Sequence, residues 1–353
     1  MNTNHLKKFA RNTRQKLIEQ ITSKLDQVLH LDSVAIREKA AQVKELQKQI
    51  DQYGRSVVID KVAYTWFNRL VAMRFMDAND YTEVGVVTPA KGDTLPELLQ
   101  EAKQGNIAVD LKVDRDRIFE ILDGKIPSNN PQNEVYQMLL VGECNRWHQY
   151  MPVVFQPIRD YTELLMPADV LSEHSIVHDI REGMTEEDCQ NEEIIGWLYQ
   201  FYIAEKKDEV FAARSKVKKE DIPAATQLFT PRWIVEYMVQ NTLGKLWLQN
   251  KPNSTLREHM PYFFESASME EADHLVVNKV EDLTLLDQAC GSGHILVYAF
   301  DLLTKIYEEE GYNPSEIPML IIEKNLYGFE IDERAAQLAN MTLLFKALSL
   351  IHI

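Results

Sequence analysis

The feature that most restricts the fold of this chain is the run LTLLDQACGSGHILVYAFDLLTKIYEE, in which apolar residues 283–287 lead into Ala289-Cys290-Gly291-Ser292-Gly293 and then into a helical apolar pattern from His294 onward. The run reads as strand, tight turn and helix. Glycines in such a turn reach positive φ without strain and let the backbone approach a ligand at the carboxyl end of a strand. After Pro223 the chain alternates short apolar runs with helical patterns, which predicts a parallel sheet in an α/β arrangement. The second predicted strand, NLYGFEID, brings Glu330 to its end.

A dinucleotide-binding turn would require a third glycine and an acidic residue about 20 positions on. Here Ile295 and Leu296 follow the turn, and Glu330 comes 37 positions after Gly293. A carboxylate at the end of the second strand can accept both hydroxyls of a ribose in charge-assisted hydrogen bonds; the alternative for Glu330 is a solvated strand end. Asp332 is a candidate N-cap for the helix ERAAQLANMTLLFKA. Upstream, AATQLFTPRWIVEYMVQ predicts a helix with Thr230 as N-cap and Pro231 at the first helical position, where the missing N–H costs nothing.

The preceding region is mostly helical. Residues 6–53 carry Phe9, Leu17, Ile21, Leu25 and Leu29 at helical spacing, with a break near Leu31 where Asp32 or Ser33 could cap a second helix. The stretch VAYTWFNRLVAMRFMDAND sets Tyr64, Phe67, Leu70, Val71 and Phe75 on one face of a buried helix. Turn signals dominate residues 85–135, with a loop expected at Asn129-Asn130-Pro131. The segment EEIIGWLYQFYIAEKKDEVFAAR predicts a long helix whose apolar face includes Ile194, Leu198, Phe201 and Tyr202. The polar run SKVKKED after it is the candidate boundary. Three domains follow: a helical amino-terminal arm over 1–60, a helical domain over 61–220, and a ligand-binding α/β part over 221–353.

Charge and cysteines narrow the functions open to the chain. The net charge is -16, which argues against broad nucleic-acid binding, because phosphate contacts need clustered Lys and Arg. Residues 1–60 are the exception, with eleven Lys/Arg against seven Asp/Glu; this is either a solvated helix face or a phosphate-contacting arm. Cys144, Cys189 and Cys290 are widely spaced without a CxxC pair, so free thiols and no metal site are expected. No run approaches the roughly 18 apolar residues of a membrane span and no signal-peptide pattern opens the chain, so a cytoplasmic location is expected.

The order of Phe229-Thr230-Pro231, then Asp287-Gln288-Ala289-Cys290-Gly291-Ser292-Gly293, then Gly328-Phe329-Glu330-Ile331-Asp332 resembles motifs X, I and II of the gamma-ordered DNA adenine-N6 methyltransferases. WFNRLVAMRFM and EEIIGWLYQFYIAEKKDEVF are similar, more narrowly, to the methyltransferases of bacteriophage-exclusion (BREX) defence systems. The resemblance extends to about Ala347. It implies the first part of a Rossmann-like domain that binds S-adenosylmethionine. Phe229, Thr230 and Pro231 would line the methionine side, Ala289, Gly291 and Gly293 would give backbone approach, Glu330 would hold the ribose, and Ile331 would pack on the adenine. Asp287 would either bind the methionine ammonium or orient the turn.

In that family an Asn-Pro-Pro-Tyr/Phe motif holds the flipped target adenine. It does not occur in these 353 residues: Asn130-Pro131-Gln132 and Asn313-Pro314-Ser315 lack the second proline and the aromatic. No catalytic residue is therefore assigned, and the chain is expected to be an inactive fragment whose contacts with double-stranded DNA lie mainly elsewhere. Other defence-system proteins are candidate partners. The terminal Leu348-Ser349-Leu350-Ile351-His352-Ile353 matches the translation of a transposon mosaic-end adapter, so native sequence is expected to end near Ala347 or Leu348. No nuclease motif of the PD-(D/E)xK type is evident, which favours modification without cleavage. The alternatives are a non-catalytic cofactor-binding or acidic interaction module and, more remotely, a dehydrogenase.

Overall fold

The computed structural model describes residues 3–30, 37, 39–156, 161–213, 216–217, 221–227, 230–265 and 275–351. The caps expected at Asp32 or Ser33, and Phe229, lie outside the described residues. The chain divides into two compact units, Met1–Asn191 and Glu192–Ile353.

In the first unit, α1 (Thr3–His30) buries Leu6, Phe9, Leu17, Ile21, Leu25 and Val28 along one stripe. After α2 (Ala40–Tyr53) comes α3 (Arg55–Ala78), against which α1 packs. The apolar face expected on α3 is buried, but so are Trp66, Asn68, Arg69, Met73 and Arg74, so the helix is enclosed on all sides. Both of its buried arginines reach hydrogen-bond acceptors elsewhere along the chain. Arg69 donates to the Gln156 carbonyl at 3.0 Å and lies over the Trp66 ring, and Arg74 donates to Met184 O and Thr88 Oγ1, each at 3.0 Å.

The turn-rich stretch that follows holds two short helices that sequence analysis did not predict, Glu97–Lys103 and Arg115–Leu122. The Asp77 carboxylate anchors its start by accepting from the N–H groups of Val86, Val87 and Thr88 at 3.0, 2.9 and 3.0 Å. The loop at Asn129-Asn130-Pro131 is a helix start. Pro131 opens α4 (Pro131–Trp147), and the Asn130 side chain caps it by accepting from Asn133 N–H. The last long element of this unit, α5 (Ile176–Gly183), packs on α1.

The second unit begins at Glu192, ahead of the polar run at 215–221, and so includes α6 (Glu193–Ala212). Of the apolar face expected there, Ile194, Leu198 and Tyr202 are buried, while Phe201 is half-buried and stacked on Trp197. Next, α7 (Arg232–Val239) widens into a π-helical turn over Gln240–Gly244 before Lys245–Asn250. Thr230 is not the N-cap of α7. Pro231 holds that place with ψ 142, so its carbonyl accepts the first helical bonds from Ile234 and Val235, and no side-chain cap forms. The helix starts one residue later than expected because proline's fixed φ suits either position.

The α/β alternation is present in the second unit. β1 (Leu285–Asp287) leads into α8 (His294–Glu309), and β2 (Leu326–Gly328) leads into α9 (Glu333–Ile351). The strands are parallel, with Leu285 opposite Leu326 and Asp287 opposite Gly328. Among the described residues the sheet has these two strands. Leu296, Phe300, Leu303 and Ile306 of α8 share a core with Leu326, so α8 covers one face. Fully buried Asn325 fixes where both strands begin. It donates to Val280 O and Leu283 O at 2.8 and 2.7 Å and accepts from the Tyr307 hydroxyl at 2.8 Å.

Candidate functional site

Both strands end at the same level, so the turn after β1 and the segment after β2 emerge side by side. Backbone bonds join them: Phe329 N–H donates to Asp287 O at 2.9 Å, and Cys290 N–H donates to Phe329 O at 3.0 Å. The turn then needs glycine at two points. Gly291 has φ +55 and Gly293 has φ +91, both in the left-handed region that costs a side-chain-bearing residue. Gly293 is also a contact point, since a Cβ there would lie 3.1 Å from Cα and Cβ of Ala339 on α9.

The central feature of the site is the Glu330 carboxylate. One oxygen accepts from Gly291 N–H at 2.7 Å and the other from Asp332 N–H at 2.9 Å. An ionised carboxylate offers about four acceptor positions, so each oxygen keeps one for a ligand. Asp332, buried, caps α9: its side chain accepts from Arg334 N–H at 3.1 Å, its carbonyl accepts from Ala336 N–H at 3.0 Å, and the Tyr199 hydroxyl of α6 donates to it. That bond links α6 to the second motif.

A narrow cleft of about 50 Å³ opens beside the turn. Thr230, Asp287, Ala289 and Gly291 of the expected site line it, joined by Gly196, Tyr199 and Gln200 of α6, by Gln227, and by Ser292 and His294. Glu330 reaches the same turn through Gly291. Pro231 is exposed at the start of α7, Gly293 is buried as the residue before α8, and Ile331 is 79% exposed. The α6 residues were not anticipated. Their spacing at i, i+3 and i+4 puts them on one helical stripe, a signal that Gln200 and Gly196, being neither apolar nor charged, do not announce.

Electrostatics give the cleft its character. Burial pushes the His294 pKa down to about 4, leaving the ring neutral at physiological pH, and its Nε2 shares a 3.1 Å hydrogen bond with Ser292 Oγ. Burial, then the nearby Asp287 and Glu330 carboxylates, push the Cys290 thiol up to about 11, so it is not a nucleophile at neutral pH. Asp287 also orients the turn by accepting from Ala289 N–H at 3.1 Å. The combination of carboxylates, exposed turn backbone and a neutral imidazole suits a ligand carrying hydroxyl donors and positive charge.

No family model matches the chain. Three sequence relatives all carry the word methyltransferase in their names. A protein of Escherichia coli named adenine-specific methyltransferase BrxX is 37% identical over 378 aligned residues, covering 98% of this chain and 31% of that protein. One of Lacticaseibacillus casei named adenine-specific methyltransferase PglX is 33% identical over 400, covering 98% and 32%. A Methanocaldococcus jannaschii protein named putative type II restriction enzyme and methyltransferase is 24% identical over 314, covering 80% and 24%. By sequence the chain is similar to proteins named adenine-specific methyltransferases. More particularly, it is a homologue of BrxX and PglX over nearly all of its own length, and it spans about a third of theirs.

Proposed function

We propose that this chain is the S-adenosylmethionine-binding portion of a site-specific DNA adenine-N6 methyltransferase with a Rossmann-like catalytic domain, acting in a BREX phage-defence or restriction-modification system. The observation that carries the reading is the bond from Gly291 N–H to the Glu330 carboxylate. It joins the glycine turn and the second-strand acid, and two acceptor positions on that carboxylate remain for a ribose. The names of the relatives support the class of reaction.

The donor supplies a methyl group on a positively charged sulfur. Around it, Glu330 holds the ribose, and the backbone of Ala289, Gly291 and Gly293 gives close approach. Thr230, with Phe229 and Pro231, flanks the methionine end; Asp287 orients the turn and contributes negative charge; Ile331, exposed beside Glu330, covers the adenine. Catalysis in such an enzyme is chiefly placement of amino nitrogen, methyl and sulfur in line. The Asn-Pro-Pro-Tyr/Phe group that positions a flipped adenine is not among these 353 residues, so in the proposed enzyme double-stranded DNA is engaged mainly by other residues. The partners of that enzyme are other components of the defence system.

Calorimetric titration of the 353-residue chain with S-adenosylhomocysteine and with NAD tests this. Binding of the first alone is expected, with the affinity reduced at least about tenfold by Glu330→Ala, which removes hydrogen bonds to a charged group. Binding of NAD in preference, or of neither compound, overturns the reading. Labelled methyl is not expected to enter DNA with this chain by itself, whereas a protein that continues into the Asn-Pro-Pro-Tyr/Phe segment should transfer it.

A further inference from the structure

One polar atom in the cleft has no counterpart. Gln200 lines the cleft beside Gln227, Thr230 and the glycine turn, and its side-chain oxygen is buried with no hydrogen-bond partner among the described residues. Native folds seldom leave a buried amide oxygen unpaired, and exceptions mark places where a ligand completes the bonding. Its position is set by α6. Gly196 and Tyr199 share its stripe, and the Tyr199 hydroxyl is anchored on Asp332, so the helix face is held against the turn.

The missing partner must be a donor. The cleft already contains N–H donors, in the turn backbone and in Gln227, whose Nε2 lies 3.8 Å from where a side chain on Gly291 would begin. Its carboxylates each hold backbone donors already, Asp287 on one oxygen from Ala289 N–H and Glu330 on both from Gly291 and Asp332 N–H, so the Gln200 oxygen is the acceptor left with no donor at all. The ribose hydroxyls are met by Glu330 on the proposed reading. What remains of the donor molecule with N–H groups to offer at the Thr230 side is its α-ammonium.

We infer that the Gln200 side-chain oxygen receives the α-ammonium of the methyl donor's amino-acid end, making Gln200 a specificity residue for that end of the ligand. The inference rests on the proposed cofactor assignment and deepens it. A neutral amide provides the acceptor without adding a third carboxylate beside Asp287 and Glu330, which would raise the cost of keeping all three ionised.

The test compares S-adenosylhomocysteine with 5′-methylthioadenosine, which keeps the adenosine thioether and lacks the amino-acid end, and with the deaminated analogue of S-adenosylhomocysteine. Affinities are read by calorimetry on the 353-residue chain. Gln200→Met, near in shape and without the acceptor, is expected to weaken S-adenosylhomocysteine about tenfold or more while leaving 5′-methylthioadenosine within about threefold. Gln200→Glu, which keeps an acceptor, is expected to retain S-adenosylhomocysteine binding. On the unaltered chain the deaminated analogue should bind about tenfold or more weakly than the parent, an arm that needs no variant to fold. Equal affinity for parent and deaminated analogue, undiminished binding by Gln200→Met, or equal loss of both adenosine ligands overturns the inference and leaves the cofactor assignment standing. An unaltered chain that binds none of the adenosine compounds overturns both.

Discussion

Replacing Gly196 with alanine sets two opposing effects against each other at the wall of the cleft. Gly196 lies inside α6, where an alanine ordinarily gains about 1 kcal/mol from helix propensity. The new Cβ would sit 2.6 Å from His294 Cε1, 2.8 Å from its Nε2 and 3.1 Å from Ser292 Oγ. Relief requires the imidazole to leave a site where it is largely buried and bonded to Ser292, at the first turn of α8. Overpacking of that kind costs roughly 1–3 kcal/mol, so after the propensity gain a net destabilisation of up to about 2 kcal/mol is expected. Urea-dependent hydrogen exchange over His294–Glu309 reads the second unit directly. A cycle with His294→Ala should show coupling of about 1–3 kcal/mol, because the double variant has no ring to displace. Net stabilisation by Gly196→Ala, with no coupling to His294, would refute the argument and show the ring free to move aside.

Three further outcomes follow from the packing and charge of the two units. The His294 pKa of about 4 lies below its ordinary 6.5, so the stability tied to the neutral ring is complete above about pH 6.5 and is lost as pH falls toward 4. Its full loss amounts to roughly 3 kcal/mol, and His294→Gln should flatten that part of a pH–stability profile. Gly183→Ala should destabilise the first unit by about 2–3 kcal/mol in chemical denaturation, since its Cβ would meet the Phe9 ring of α1 and neither helix can withdraw without opening their contact. Tyr199→Phe should cost about 1–3 kcal/mol and loosen hydrogen-exchange protection at the start of α9, because it removes a donor from buried Asp332; unchanged protection there would count against that role.

What could be read from the sequence, and what could not, follows from the range of the forces involved. The turn at 289–293 was legible because its demand is local: two positive-φ positions call for two glycines, and the flanking apolar runs identify strand and helix. Glu330 was legible by position, at the end of the second strand, and the chain's α/β class by alternation. The enclosure of α3 was not, because Asn68, Arg69 and Arg74 look like a solvated face until carbonyls and a tryptophan ring distant in sequence are seen to receive them. The short helices Glu97–Lys103 and Arg115–Leu122 hide among turn signals that also cap helices. Gln200 stayed invisible for a related reason: periodicity assigns an uncharged polar residue to solvent, and only the cleft shows its oxygen enclosed.

On the proposed reading, the bond between Gly291 and Glu330 bears on how quickly and cheaply a nucleoside is captured. Turn and carboxylate are tied by a hydrogen bond of their own, so on the proposed reading an arriving ribose spends little of its affinity on ordering backbone. On that reading, a substitution that releases this clasp should act first on residence time, the bound nucleoside escaping sooner.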